Sequence, residues 1–402
     1  MTRESVDVFI SGGGIAGLAA AAAFGQAGFS VILADPAPPV DAVEADSSDL
    51  RSTAFLQPAR ELFDRTGLWE ALAPHATPLE ILRAVDTTGW PPEVRESRDF
   101  RADDISDRPF GWNLPNWQTR HVLTGTISQT PKVELRMGTG FARLLTRDRE
   151  AIVTLTDGTT LSARLVVAAD GRDSPVREAA GVGVTVTRYG QKAIAFNVTH
   201  HHPHENVSTE LYNQGGAFVL VPLPDLKGGP ASAVVWMNDG RRSLDLMAMD
   251  EAAFSHEATL RSCGVLGELT LASPRRLWPV VTQRAERLTA QRTAIVAEAA
   301  HVLPPIGAQG LNTSLHDIVA LVALAAADPA NLGGPKMLAA YEATRERDIR
   351  ARAAVIDLFN RVCRSGEAPV QALRLAGMKA VHGILPLRRT VMRAGLGTSQ
   401  RT

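Results

Sequence analysis

Cysteine is almost missing from this chain: two residues, Cys263 and Cys363, stand 100 positions apart among 402. Neither a disulfide framework nor a C-x-x-C redox or metal motif can be written with them, which fits a reducing compartment. Both are expected as small buried apolar side chains. An excess of one charge is missing too. Lys plus Arg number 42 and Asp plus Glu 43, a formal charge of −1, so no basic field gathers nucleic acid and nucleic acid is not expected as a partner. Long apolar runs are lacking: the longest one beyond the N-terminal region, Ile318 to Ala327, falls short of the roughly 18 residues that span a bilayer. Near the N-terminus, Arg3 precedes an alanine-rich stretch in the manner of an export signal. Gly12, Gly13, Gly14 and Gly17 interrupt that stretch, however, and Glu4 and Asp7 sit where a signal is basic. A cytoplasmic protein is predicted. Apolar residues at 45% and charged residues at 21% are ordinary globular values, and the length exceeds the roughly 100–200 residues of one domain, so two domains or one large interrupted one are expected.

What is present is patterned. Val6-Asp7-Val8-Phe9-Ile10 is a run of β-formers, a glycine-rich turn follows, and Leu18 with five alanines then reads as helix. Gly25 and Gly28 end that helix, and Phe29 to Ala34 makes a second buried strand closing at Asp35. Arg51 to Leu72 is predicted helical, and Pro74 to Pro115, with its prolines, aromatics and charges, is predicted as loops and edge strands. Thr119 to Thr130 returns to helix. Val133 to Leu135 and Ala151 to Leu155 read as hairpin strands, and Leu165 to Ala169 as a buried parallel strand ending in Asp170-Gly171. Residues from about Val182 to Val281 are strand-rich, a separate antiparallel sheet. Thr293 to Ala297 resumes the buried-strand pattern, Leu311 to Ala327 reads as a long helix, and the tail from Lys336 is mostly helical. The first fold therefore returns after an insertion.

The spacing Gly12-x-Gly14-x-x-Gly17 suits a dinucleotide. Each glycine removes a Cβ where backbone turns sharply, approaches a pyrophosphate, or packs helix on strand. The amides opening the helix at Ile15 and Ala16 then face the phosphates, and Asp35 ends the second strand where a carboxylate accepts from ribose hydroxyls. This fingerprint alone leaves NAD and FAD open. In a third segment, Pro304, Pro305, Gly307 and Gly310 forbid regular structure, so backbone can press flat against a ring while the helix opening near Leu311-Asn312 points amides at it. His200-His201-His202-Pro203-His204 is assigned to a connection in the inserted sheet, and no metal is predicted. Glu210 and Tyr212 either face a substrate or belong to an ordinary half-buried strand.

Ala168-Ala169-Asp170-Gly171-Arg172-Asp173-Ser174-Pro175-Val176-Arg177, and Glu298-Ala299-Ala300-His301 through Gly310-Leu311-Asn312 with Asp317, resemble the second and third signature segments of class A flavoprotein monooxygenases. Asp49-Leu50-Arg51-Ser52-Thr53-Ala54, Phe110 to Asn116 and the closing Leu385-Pro386-Leu387-Arg388-Arg389 are similar to the branch of ubiquinone-biosynthesis hydroxylases. The resemblance spans nearly the whole chain. It implies an α/β fold: a Rossmann-like FAD-binding domain of the glutathione-reductase type, with an inserted antiparallel β-sheet substrate domain and C-terminal helices. The expected division is 1–75, 105–180 and 285–360 for the FAD-binding domain, 76–104 and 181–284 for the substrate domain, and 361–402 for a helical tail.

The roles that the resemblance implies fall on matching positions. Gly12, Gly14, Gly17 and Asp35 hold the ADP half of FAD, and Arg51 and Arg120 lie along the pyrophosphate and ribityl chain. Asp170 and Gly171 sit near the flavin phosphates and the nicotinamide donor. Glu298 stands where the family usually has aspartate, after Ala297 where it usually has glycine, and Gly307-Ala308 inverts the family's usual order. Pro305, Gly307, Gly310, Leu311 and Asn312 border the ring; His301 is expected as its backbone-bonded neighbour and His316 as a helix-surface side chain. The implied chemistry is NAD(P)H-driven transfer of an oxygen atom from O₂ to the ring of a prenylated phenol. No acid or base is assigned. A quinone-biosynthesis complex is an implied partner, and Arg388, Arg389 and Arg393 among apolar residues suit either peripheral contact with the inner face of a membrane or packing on their own domain. A flavin reductase or dehydrogenase on the same fold, and a non-catalytic flavoprotein subunit, are the competing readings.

Overall fold

A computed structural model describes residues 4–45 and 47–397. Arg3 and residues 398–402 of the expected tail lie outside the described residues.

Strand Glu4–Ser11 leads through the glycine turn into helix Ile15–Gln26, which is buried continuously from Ile15 to Phe24. Five alanines permit this, because a methyl side chain loses no rotamer freedom and lets the helix lie close on the sheet. Gly28, with φ of +93°, stops the helix. Strand Val31–Asp35 then returns parallel to the first, Val8 opposite Val31 and Ser11 opposite Ala34. Thr160–Ala168 and Thr293–Ile295 continue the parallel sheet on the other side. Ser11, Asp35 and Ala168 therefore end along one edge, the edge at which open α/β sheets bind ligands.

A second, nine-stranded sheet runs in the order His301–Val302, Arg276–Ala285, Val184–His200, Gly229–Asp239, Gly216–Leu226, Val207–Asn213, Ile81–Thr88, Glu93–Arg101, with Leu269–Leu271 beside Val184–His200. One face packs Phe196, Leu211, Phe218 and Trp236 against helix residues Leu246 and Phe254. The other face carries Ala84, Tyr212 and Val219 against Cys363 and Met378 of the C-terminal helices. Those helices are Pro335–Arg364, Ala368–Gly383 and Leu385–Leu396.

Several elements differ from the sequence-based expectation. Within Arg51 to Leu72, Ser52–Leu56 is a strand paired with Gly111–Pro115, and helix starts only at Gln57, where Pro58 occupies the first turn. Thr77–Leu79 completes a three-stranded sheet with them. Val133–Met137 is no hairpin strand. It follows helix Asn116–Ile127 and pairs in parallel with Val31–Asp35, as a helical crossover requires; the hairpin is Phe141–Thr146 with Ala151–Leu155. The inserted sheet is antiparallel except where Val207–Asn213 runs parallel to Ile81–Thr88, so Ile81–Thr88 is an interior strand and Glu93–Arg101 the edge. Residue 361 falls inside helix Pro335–Arg364. Cys363 is buried, but Cys263 is half-buried at a left-handed turn. Helix Gln309–Ala327 is long and apolar enough to cross a membrane by length and composition; here it buries Leu315, Ile318 and Leu321 in the core.

Candidate active site

One cavity of about 1290 Å³ touches the glycine turn, the Asp170 loop, the proline-rich third segment and the apolar face of the second sheet. That volume exceeds the roughly 300–1,000 Å³ of a pocket for one drug-sized molecule, which leaves room for an extended dinucleotide and a second ligand. The predicted residues Gly12, Gly14, Ile15, Ala16, Asp35, Arg51, Arg120, Asp170, Glu298, Pro305, Gly307, Gly310 and Leu311 all line it, and Gly17 and Asn312 do not.

The three fingerprint glycines do different work. A Cβ on Gly12, where φ is +107°, would lie 2.3 Å from the Ala169 carbonyl oxygen, and one on Gly17 would lie 1.9 Å from the Gly12 oxygen. Both positions are closed by the protein itself. Gly14 has no protein atom within 4 Å of that position, so its missing side chain leaves space for something outside the chain. It also N-caps helix Ile15–Gln26, whose first amides lack helical acceptors. Asp35 Oδ2 accepts from the Gly13 amide at 2.6 Å, and Arg120 donates to Asp35 Oδ1 at 3.2 Å and to the Gly13 carbonyl at 2.7 Å. A carboxylate at a helix start with an arginine beside it is a corner for ribose and phosphate.

Asp170 is fixed by Ser11 Oγ at 3.2 Å, the Val176 amide at 3.2 Å and the Ser174 hydroxyl. Burial nonetheless pushes its carboxyl above the ordinary range, against those donors. Arg51 lies deep in the fold with 41% of its side chain open to the cavity, bonded to Asp49 at 2.8 Å and 3.5 Å from Glu298 Oε1. Burial would lower its pKa, but Asp49 and Glu298 outweigh burial and raise it. Glu298 is thereby the second acidic partner of Arg51, on the cavity wall.

Asn312 does not line the cavity. Its side chain donates to the Ala54 carbonyl at 2.8 Å and accepts from the Leu56 amide at 2.9 Å, tying the long helix to strand Ser52–Leu56. His301 lines the cavity, but its bond is to a side chain and not to backbone: its Nε2 donates to Asp317 Oδ2 at 2.7 Å. Asp317 also accepts from Arg345 Nε at 2.8 Å and from the Ala297 amide at 3.0 Å. Burial raises its pKa, but the charges on His301 and Arg345 prevail and hold the carboxyl below its ordinary range. His316 is no surface side chain; burial first, then Arg352 and Arg345, lowers its pKa to about 4. Ala297 and Ala308 both adopt left-handed backbone, φ +55° and +54°, at the two places where the family usually has glycine. In the histidine cluster, the His200 ring is bonded to the His202 carbonyl and Ser232 Oγ, and His204 to the Leu223 carbonyl, so these rings fasten a connection between strands.

Sequence reasoning gave no role to Ser11, Asp49, Asn116 or the Asp317–Arg345 pair. Asp49 was legible only as a member of a motif; its bond from Asn116 at 3.0 Å crosses 67 positions.

A model of the FAD binding domain family matches residues 5–356. The ubiquinone hydroxylase UbiL of Rhodospirillum rubrum is 34% identical over 396 residues, 98% of this chain and 90% of that protein. The 3-demethoxyubiquinol 3-hydroxylase of Escherichia coli is 25% identical over 99% of this chain and 100% of its own length. Among solved structures, p-nitrophenol 4-monooxygenase of Pseudomonas putida superposes with a TM-score of 0.80 at 20% identity, covering 99% of this chain and all of that one. The open space at Gly14, the Asp35–Arg120 corner and the flat third segment suit the adenylate, ribose and ring of FAD, and with those similarities the chain belongs to the ubiquinone-biosynthesis hydroxylase family of class A FAD-dependent aromatic monooxygenases.

Proposed function

We propose that this enzyme hydroxylates the ring of a polyprenylated phenol on the way to ubiquinone, with O₂ as oxygen source and NAD(P)H as reductant. The observation that carries the reading is the continuity of the cavity: it runs unbroken from Gly12 and Asp35 to Val219, Phe359, Leu373 and Met378. A dinucleotide alone has no use for that apolar end. The residues assigned to FAD are the cavity-lining ones: Gly12, Gly14, Ile15, Ala16 and Asp35 for the adenylate, Arg120, Arg51 and Asp170 for the phosphates and ribityl chain, and Glu298, Pro305, Gly307, Gly310 and Leu311 around the ring. Gly17 and Asn312 support them from behind. Bound flavin supplies the oxygen-transfer chemistry; the chain binds, orients and keeps water out. The glycine-marked segments form the FAD-binding domain and the nine-stranded sheet, with residues 76–104, the substrate domain.

An apolar rim supports a membrane source for the tail. Ile384, just before the helix that carries Arg388, Arg389 and Arg393, and Leu385, its first residue, are 53% and 44% exposed, while Met392 and Leu396 of that helix line the cavity. Peripheral docking at a lipid surface would bring this rim to a membrane-dissolved substrate. Isotope-labelled O₂ tests the reaction: label enters the product of a prenylated phenol if the reading holds, whereas a reductase on this fold consumes NAD(P)H and leaves the phenol unlabelled.

A further inference from the structure

Strand Val207–Asn213 sets a carboxyl into an apolar wall. Glu210 lies opposite Ala84 on one neighbouring strand and Val219 on the other, is only 6% exposed, and lines the cavity. A buried carboxylate is costly unless it is paired. Its one hydrogen-bonded partner among the described residues is Tyr212, whose hydroxyl donates to Oε2, and Oε1 has no protein donor among them. The nearby Arg374 is committed to Asp86 and to the Cys363 and Thr87 carbonyls. Stapling the fold does not explain the pair, because Glu210 and Tyr212 stand two positions apart on one strand and their bond joins no second element.

We propose that Glu210 is a catalytic residue that accepts the hydrogen bond, and then the proton, of the hydroxyl on the substrate ring, with Tyr212 as its positioning residue. The inference rests on the phenol-hydroxylase reading above. As oxygen transfers, the phenolic O–H bond breaks, its proton passes to Oε1, and the electron pair moves into the ring and makes a ring carbon the nucleophile. That carbon forms the new C–O bond with one atom of O₂. The other atom leaves as water, with the two electrons supplied by NAD(P)H. The ring carbon then releases its proton to solvent, replacing one of the protons taken up in forming water, aromaticity returns, and Glu210 gives its proton back to the phenolate oxygen.

Burial pushes the Glu210 carboxyl above its ordinary value while the Tyr212 bond draws it down. A base raised toward neutrality is better matched to a phenol of pKa ~10 than an ordinary glutamate. The ionisable groups packed around the pair are Arg374 and Cys363 from the C-terminal helices and Asp86 from strand Ile81–Thr88, the last neutralised by Arg374 and Arg95.

The test uses full-length holoenzyme with 2-prenylphenol and labelled O₂. Glu210→Gln at unchanged FAD content is expected to lower labelled product by about 100-fold or more and to abolish the acid limb of the kcat/KM–pH profile. Tyr212→Phe is expected to move that limb to higher pH, since the bond that favours the carboxylate is gone. Hydroxylation by Glu210→Gln within about threefold of wild type overturns the role of Glu210. So does an unmoved limb in Tyr212→Phe, which decides the matter alone if Glu210→Gln does not fold. Wild-type holoenzyme that forms no labelled product from any phenol defeats the phenol-hydroxylase reading and this inference together.

Discussion

At the end of the cavity proposed for the adenylate the left-handed turn is made by Gly12, and at the end proposed for the ring Ala308 shares such a turn with Gly307 while Ala297 makes another without a glycine. The first end is assembled from neighbours in sequence: residues 11 to 35 supply the turn, the helix and the acidic strand end. The second is assembled from afar, by Asp317 gathering His301, Arg345 and the Ala297 amide, and by Asn312 gripping Ala54 and Leu56. Both ends use glycines and an ion pair, but only the second adds a fully buried polar cluster around Asp317. Local geometry therefore governs ligand binding at the first end, and buried charge governs fold stability at the second.

The sharpest break in that comparison comes from Asp317→Asn, which removes the buried carboxylate between His301 and Arg345 and leaves Arg345 with Asp348 as its remaining ionic partner. It is expected to cost the apoprotein about 3–5 kcal/mol in urea unfolding. Gly14→Val at the opposite end is expected to weaken FAD by roughly 100-fold, about 2.7 kcal/mol, seen as loss of flavin absorbance. The apoprotein should lose only about 1 kcal/mol, from the poorer helix cap, because no protein atom crowds the site. Equal damage to apoprotein stability by both variants would erase the distinction.

Acid probes the ring end again. The folded pKa of His316 is about 4, below its ordinary value of 6.5. Above pH 6.5 both states are neutral; below it the unfolded chain takes a proton that the folded chain refuses until about pH 4. Stability should fall across that window by on the order of 2–3 kcal/mol after solvent screening. Thermal unfolding of His316→Gln should lack this portion of the decline. Glu298→Ala should weaken FAD by about 1 kcal/mol through the loosened Arg51, as for a partly exposed ion pair, and Glu298→Asp should retain it; flavin titration reads both. The smallest effect belongs to Ala308→Gly. Relief of left-handed strain, about 1 kcal/mol, is offset by the greater freedom of unfolded glycine, so unfolding free energy should move by less than about 0.5 kcal/mol.

The adenylate corner was readable because each of its requirements leaves a mark within one βαβ unit: Gly12, Gly14, Gly17 and Asp35 are spaced by the geometry they serve. Ser52–Leu56 was not, since Leu56, Leu62 and Phe63 fit a helical period and the strand exists only because Gly111–Pro115 arrives beside it. His301 was misjudged because the carboxylate that holds it, Asp317, comes from the next helix, and His316 because Arg345 and Arg352 of helix Pro335–Arg364 crowd it. Glu210 and Tyr212 stayed ambiguous because strand alternation gives two faces and says nothing about which one meets a cavity.

The dependence of the ring end on Arg345 bears on the order of events during synthesis. Strands Glu4–Ser11, Val31–Asp35, Val133–Met137 and Thr160–Ala168 can pair early, yet strand Thr293–Ile295 and the Asp317 cluster behind the third segment wait for residues encoded far downstream, Arg345 last. Closure of the cavity wall formed by the third segment is thereby deferred until most of the polypeptide has been made.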